Sequence, residues 1–171
     1  MKIRGDFVTN SSSSSFILGF DSKEDGMFKI EELKHIYGSD YIDQLLEDFE
    51  HENPIPREQV EERFKYDIRN DAAVKISWGD GNWWNSDKDT SENKWKRGHP
   101  DASPFAFYDS EEYKEEMKRL SDELMGKLLE DIEPFQYIVE LEYEDHTSVG
   151  SALEHDILPN CDFTIRRFSH H

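Results

Sequence analysis

Histidine and carboxylate side chains gather near the C-terminal end of the chain, where they could bind a metal ion. Four of the seven histidines lie beyond residue 145, and acidic residues flank two of them. Neutral imidazole and carboxylate oxygens are common protein ligands of zinc and other divalent metals. We therefore predict a site for a divalent metal such as zinc, with the candidate ligands His146, Glu154, His155, His170 and His171.

The spacing of these ligands matches no named metal motif, because the chain contains neither H-E-x-x-H nor C-x-x-C. Surface histidines followed by a frayed tail are the alternative interpretation. If the last predicted strand pairs antiparallel with residues 135–144, its end returns toward the start of that strand and away from His146. A site with all four histidines of one molecule is then expected only if the strand order differs.

Three tryptophans lie in the segment 79–104, which is rich in turn-forming residues. We predict an irregular loop there, and long loops of this kind are usually functional or mobile. Aromatic side chains next to basic ones are typical of partner-binding surfaces, and Lys94, Lys96, Arg97 and His99 make this segment locally basic. The candidate partner-binding residues are Trp83, Trp84 and Trp95. A loop that the tryptophans fold over the core is the alternative.

Five consecutive serines, Ser11 to Ser15, are flanked by apolar residues on both sides, unlike an ordinary flexible linker. No G-x-S-x-G sequence is present, so a catalytic serine is not predicted. The serines could instead be recognised or modified, or they could let the start of a strand pack closely. The candidate recognition segment comprises Asp6, Phe7, Asn10, Ser11, Ser12, Ser13, Ser14 and Ser15.

The stretch KIRGDFVTNSSSSSFIL, from Lys2 to Leu18, carries a resemblance to other proteins. It resembles the opening of a loose group of small uncharacterised bacterial and phage proteins, which share an R-x-DFVTNSSSSSF start. Some members end in a short histidine-containing tail, similar to Phe168-Ser169-His170-His171. The resemblance implies a bacterial or phage source and a role for the N-terminal segment, and it implies no particular activity.

Acidic residues dominate the charge of the chain, with 39 Asp and Glu against 20 Lys and Arg, a net charge of −19. Direct binding to nucleic acid or to an anionic membrane needs a basic surface and is therefore not predicted. The acidic excess lies mainly in residues 21–62 and 109–133. Solvated helix faces would explain it, and so would attraction to a protein with a basic surface.

Several features indicate a cytoplasmic protein that forms one domain over residues 1–171. The length suits a single core, and the only cysteine, Cys161, excludes an internal disulfide. No apolar run reaches the roughly 20 residues of a membrane helix, and the N-terminus lacks the pattern of a signal peptide.

Hydrophobic periodicity predicts the elements that position these residues. Helices are predicted over residues 29–37, 40–51, 57–70 and 109–133, with a short helical turn at 151–156. Strands are predicted over residues 15–20, 72–78, 135–144 and 163–168, and residues 21–26 read as a turn. The apolar and polar residues of 135–144 alternate, which indicates one buried and one wet face of an antiparallel sheet. We therefore predict an α+β fold with about four antiparallel strands and helices on one face.

Three functions are compatible with these patterns. The favoured one is a non-enzymatic, acidic interaction protein that binds or inhibits a basic partner, such as a protein that handles nucleic acid. The second is a small metal-dependent hydrolase that uses the C-terminal histidines and carboxylates. The third is a cargo protein or modification substrate that is recognised through its serine-rich segment.

Overall fold

The structure, a computed structural model, describes residues 13–79, 89–103, 105–144 and 146–170. It confirms the α+β class, and its contacts divide the chain into two compact units. Unit 1 comprises Met1–Pro56 and Ile132–His171, and unit 2 comprises Arg57–Asp131. Whether residues 1–171 behave as one domain stays a prediction.

A three-stranded antiparallel sheet forms the centre of unit 1. Its strands are β1 (Ser13–Phe20), β2 (Tyr137–Glu144) and β3 (Thr164–His170), in the order β2-β1-β3. The register pairs Ser13 with Glu144 on one side and with His170 on the other. Because β2 and β3 both run antiparallel to β1, they run parallel to each other, and their C-terminal ends lie at the same end of the sheet.

Strand β1 is buried on both faces, and one of them packs into the hydrophobic core of unit 1. Phe16, Leu18 and Phe20 are fully buried there, because alternate residues of a strand point to the same face. The matching face of β2 contributes Val139, Leu141 and Tyr143 to the same core. On the other face of β2, Glu142 and Glu144 are exposed but Ile138 is buried, so the alternation predicted for residues 135–144 holds except at Ile138.

The helices of unit 1 supply the rest of this core. They are α1 (Lys23–Glu32), α2 (Lys34–Tyr37), α3 (Ser39–His51) and α8 (Ser148–Ala152), and α8 continues into a π-helical turn, Leu153–Ile157, and a 3₁₀ turn, Leu158–Asn160. Helix α3 buries Ile42, Leu45 and Phe49, which recur at helical spacing. Its predicted position is confirmed.

Helix α1 begins earlier than predicted, inside the segment 21–26 that we expected to be a turn. The side chain of Ser22 caps the helix by accepting a hydrogen bond from the backbone N–H of Asp25, at 3.1 Å. Glu24 and Asp25 then place negative charge at the N-terminal end of the helix dipole. The predicted turn is wrong because these residues are helix-start signals.

Unit 2 consists of four helices within its described residues: α4 (Arg57–Trp78), α5 (Ser91–Gly98), α6 (Ala106–Asp109) and α7 (Glu111–Ile132), the last of which ends at the boundary with unit 1. Helix α7 begins two residues later than predicted, at Glu111, with the hydroxyl of Ser110 accepting a hydrogen bond from the N–H of Tyr113. Its apolar stripe includes the buried residues Met117, Leu124 and Leu128.

The prediction of about four strands is wrong, because the described residues contain three. The missing strand was predicted over residues 72–78, which are instead the last turns of α4. Val74 and Trp78 are 48% and 45% exposed, whereas Ile76 is buried. Ile76 extends the four-residue spacing of Ile68 and Ala72, so the helical period continues to the end of α4. Val74, Ile76 and Trp78 would share one face of a strand, but only Ile76 is buried.

The loop predicted for residues 79–104 is not irregular throughout, because α5 occupies Ser91–Gly98. The Thr90 side chain caps α5 by accepting a hydrogen bond from the N–H of Asn93, at 3.2 Å. Threonine is a favourable N-cap residue. Residues 80–88 and 104 of this segment lie outside the described residues.

In the parts of the chain that the structure describes, no helix is long and apolar enough to cross a membrane.

Candidate functional site

The serine run ends inside the sheet, where a buried polar cluster forms. Ser13, Ser14 and Ser15 begin β1, and Ser14 is fully buried. The Ser14 hydroxyl donates a hydrogen bond to Oε1 of Glu154 (2.8 Å) and accepts one from Nε of Arg167 (3.0 Å). A nitrogen of the same guanidinium lies 3.0 Å from Glu154 Oε1. The sheet and the π-helical turn are thus joined by a serine, a carboxylate and a guanidinium.

This cluster is suited to holding the fold together, because its serine and its carboxylate are closed off from solvent, while the Arg167 side chain is 30% exposed. Glu154 has no exposed surface, and the Arg167 guanidinium also lies 5.6 Å from the centre of the Phe16 ring. Removing one member of a buried charge pair leaves the other uncompensated, which is strongly destabilising. Asp6, Phe7, Asn10, Ser11 and Ser12 of the predicted recognition segment lie outside the described residues.

The predicted metal ligands do not form one site in the described part of the chain. His146 Nδ1 lies 2.7 Å from an oxygen of Glu144, whereas Glu154 belongs to the buried cluster, with His155 Nε2 3.7 Å from its second oxygen. No group of three or more His, Cys, Asp or Glu side chains in this part of the chain could hold a metal ion. His171 and the side chain of His170 lie outside the described residues, so the metal site stays a prediction.

The order of the strands changes the expectation for the C-terminal histidines. With β1 in the middle, the backbone of His170 lies at the end of the sheet where Glu144 also lies, each of them paired with Ser13. The last strand does not pair with β2, so its end does not return to the start of β2. The expected separation of His170 from His146 was wrong, because it assumed that the last strand pairs with β2, whereas β3 pairs with β1.

An acidic cleft lies beside the outer edge of β2, along α3. It consists of two adjoining depressions of about 490 Å³ each, which share Gln44, Asp48, Glu142 and Tyr143. Its side chains include five carboxylates and two histidines, and no lysine or arginine. We call the acidic cleft the surface lined by these residues: Gln44, Glu47, Asp48, His51, Glu52, Leu141, Glu142, Tyr143, Glu144, His146, Thr147, Val149 and Gly150.

A partly buried hydrogen bond fixes the floor of the acidic cleft. The Tyr143 hydroxyl donates to Oδ2 of Asp48 at 2.8 Å, and the Gln44 amide donates to the other carboxylate oxygen at 2.8 Å. Burial of Tyr143, together with the negative charge of Asp48, raises the pKa of its hydroxyl far above the usual range. The hydroxyl stays protonated at neutral pH and ties α3 to β2.

The backbone of β2 presents hydrogen-bonding groups to this cleft. The N–H and C=O of one β residue point to the same side, and the side alternates along the strand. The Ile138 carbonyl accepts a hydrogen bond from the N–H of Ile55 (2.7 Å), which lies outside the sheet. The same groups of Glu140, Glu142 and Glu144 therefore point away from β1.

Trp95, the one predicted partner-binding tryptophan that the structure describes, packs within unit 2. It lies on α5 with its ring stacked on His99 at 4.2 Å and 5.7 Å from the ring of Phe107. Its basic neighbours form ion pairs, Lys96 with Glu92 and Arg97 with Asp89. Partner binding by Trp95 stays a prediction, as it does for Trp83 and Trp84, which lie outside the described residues.

Two surface features went unrecognised in the sequence, although both have a periodic signal. On α3, four polar residues recur at three- and four-residue intervals on one face: Gln44, Glu47, Asp48 and His51. They meet the alternating glutamates of β2 in the acidic cleft.

The second feature is a groove of about 340 Å³ in unit 2. It is lined by two pairs of basic residues, each pair four residues apart on one helix: Lys65 and Arg69 on α4, and Lys114 and Lys118 on α7. Two of these cations are paired locally, Lys65 with Glu62 and Lys114 with Glu111.

No protein-family model matches this chain, and no curated protein or solved structure is significantly similar to it.

Proposed function

We propose that this protein is a non-enzymatic binding protein that uses the acidic cleft of unit 1 to engage a partner with a basic surface. The observation that carries the proposal is the composition of the cleft lining, which has five carboxylates and no lysine or arginine. Glu47, Glu52, Glu142 and Glu144 are exposed there. Such a concentration of one charge attracts the opposite charge and accelerates association.

A basic protein surface that ordinarily binds nucleic acid would fit this cleft, because the cleft and nucleic acid both present closely spaced negative charges. The protein would then compete with nucleic acid for the partner and inhibit it. This form of the proposal agrees with the phage or bacterial source that the N-terminal resemblance implies.

The test compares two variants with the same change in net charge. The cleft variant is E47Q/E142Q/E144Q, and the control is E112Q/E115Q/E130Q, which neutralises three exposed glutamates of α7 in unit 2. The probe is a fluorescently labelled peptide of alternating lysine and threonine, titrated with each protein at low and at physiological salt.

We expect the cleft variant to bind the peptide about tenfold more weakly than the control, a difference of about 1.4 kcal/mol. The difference should shrink as salt is added, since salt screens exposed charges. Equal affinities of the two variants would contradict the proposal, because overall charge alone would then explain binding.

A further inference from the structure

We propose that the acidic cleft binds its basic partner as an added β-strand, with an extended segment hydrogen-bonded to the outer edge of β2 at Glu142. This inference rests on the proposed function and specifies how the partner is held. A strand at the edge of a sheet is a template for another strand, and peptide recognition by strand addition derives its affinity from main-chain hydrogen bonds.

The first argument is that the edge of β2 is covered at both ends and open at Glu142. At one end, Ile55 donates to the carbonyl of Ile138. At the other end, Gly150 lies so close to the Glu144 carbonyl that a Cβ on Gly150 would be 2.2 Å from that oxygen. Within the described ranges, no group bonds to the outward N–H and C=O of Glu142, and Glu142 lines both depressions of the cleft.

The second argument is that Ile55 already demonstrates the bonding that an added strand would make. Its N–H reaches the outward carbonyl of Ile138 across 2.7 Å. Outward groups recur every second residue of a strand, about 7 Å apart. The groups of Glu142 are the second such position along β2 after Ile138, so a bound strand would run along the same line.

The third argument is charge complementarity on both faces of the bound segment. Side chains of the added strand that lie opposite Glu142 would project to the same face as the glutamates of β2. The intervening side chains would project toward α3, where Glu47 and Asp48 line the cleft. Opposite charges across neighbouring strands attract, so the segment that fits is extended and basic at successive positions.

A matched pair of variants tests the added strand, with the lysine–threonine peptide as the probe. E142P and E142Q both lose the carboxylate, but only E142P lacks the outward N–H. Because this N–H is not bonded to β1, proline is tolerated at such an edge position. We expect E142P to bind the peptide about tenfold more weakly than E142Q.

A second measurement on the unaltered protein needs no change of sequence. Amide hydrogen exchange, followed residue by residue by NMR, should slow about tenfold or more at Glu142 when the peptide is bound, since a hydrogen-bonded amide is protected. The amide of Tyr143, which faces β1, should change little and serves as the internal control.

The outcomes separate this inference from the proposed function. Equal binding by E142P and E142Q, with an unprotected Glu142 amide in the saturated complex, would overturn the added strand. The acidic cleft would still stand if E47Q/E142Q/E144Q had lost affinity relative to its control. If that variant also binds as tightly as its control, the proposed function fails and the added strand fails with it.

Discussion

At the scale of single residues, the cluster of Ser14, Glu154 and Arg167 explains how a serine run can form the start of a central strand. A buried serine is costly unless its hydroxyl is bonded, and here the hydroxyl both donates and accepts. The small side chain also leaves room for the guanidinium beside Phe16. The serine at this position is therefore a structural residue of the folded protein.

Replacing Ser14 with alanine should lower the free energy of unfolding by about 1–3 kcal/mol, because the fully buried Glu154 loses a hydrogen-bond donor and Arg167 loses an acceptor. The matched control is Ser169→Ala, since Ser169 faces Ser14 on β3 but is exposed. Exposed substitutions usually change stability by about 0.5 kcal/mol or less. Urea unfolding of both variants measures the difference, and equal midpoints would contradict a structural role for the Ser14 hydroxyl.

The buried hydroxyl of Tyr143 makes stability depend on alkaline pH. Burial and the nearby Asp48 raise the pKa of Tyr143 in the folded protein above its reference value of 10.0. Above about pH 10 the unfolded chain loses this proton while the folded protein keeps it, so stability is complete below pH 10 and falls as the pH rises.

The variant Tyr143→Phe should therefore lose stability less steeply above about pH 10, although it lacks the bond to Asp48 and starts about 1 kcal/mol lower at neutral pH. Tyr66→Phe serves as the control, because Tyr66 is 66% exposed. The measurement is the urea unfolding midpoint of each variant as a function of pH across the alkaline range. An unchanged alkaline slope in Tyr143→Phe would show that other groups cause it.

At the scale of elements, close packing of α1 against α3 depends on a glycine inside a helix. A Cβ on Gly26 would lie 2.3 Å from a ring carbon of Phe49, whereas a Cβ on Gly126 of α7 would meet nothing within 4 Å. Glycine normally weakens a helix interior relative to alanine. The same substitution should therefore have opposite effects at the two positions.

We expect Gly26→Ala to destabilise the protein by about 1–3 kcal/mol through overpacking. Gly126→Ala should stabilise it by up to about 1 kcal/mol through helix propensity. Urea unfolding followed by circular dichroism measures both effects. Stabilisation by both substitutions would mean that Phe49 moves aside without cost and that the contact with Gly26 is not a constraint.

Local pattern predicted most elements and failed where two patterns compete over few residues. Val74, Ile76 and Trp78 alternate like a strand, yet Ile76 also continues the helical stripe of α4. Seven residues are too few to distinguish the two periods. The preceding residues of α4 decide in favour of the helix, because they set the helical stripe that Ile76 continues. The start of α5 was missed for a related reason, because a single Thr90 cap was outweighed by the turn-forming residues around it.

At the scale of the whole molecule, the net charge of −19 is the dominant property. Repulsion among like charges destabilises a compact state. Exposed ion pairs, such as Arg119 with Glu116 and Glu123 on α7, contribute little each. Screening by salt should therefore remove more repulsion than attraction.

We expect the thermal unfolding midpoint to rise by about 2–4 °C when sodium chloride is increased from low concentration to about 0.15 M, which corresponds to about 1 kcal/mol for a chain of this size. The variant E112Q/E115Q/E130Q carries three fewer negative charges and should show a smaller rise. Differential scanning calorimetry of both proteins provides the measurement. A midpoint that falls with salt would show that the ion pairs outweigh the repulsion.

The sequence by itself determined the α+β class, the helical stripes of α3 and α7, and the alternation of apolar and polar residues along β2, because these are periodic patterns within one element. Only the tertiary structure decided that β1 lies between β2 and β3. That order brings Ser14 to Glu154 and Arg167, which are 140 and 153 residues away. It also leaves the edge of β2 facing α3 across the acidic cleft. Strand order and long-range contacts follow from the packing of the whole core, which no local period specifies.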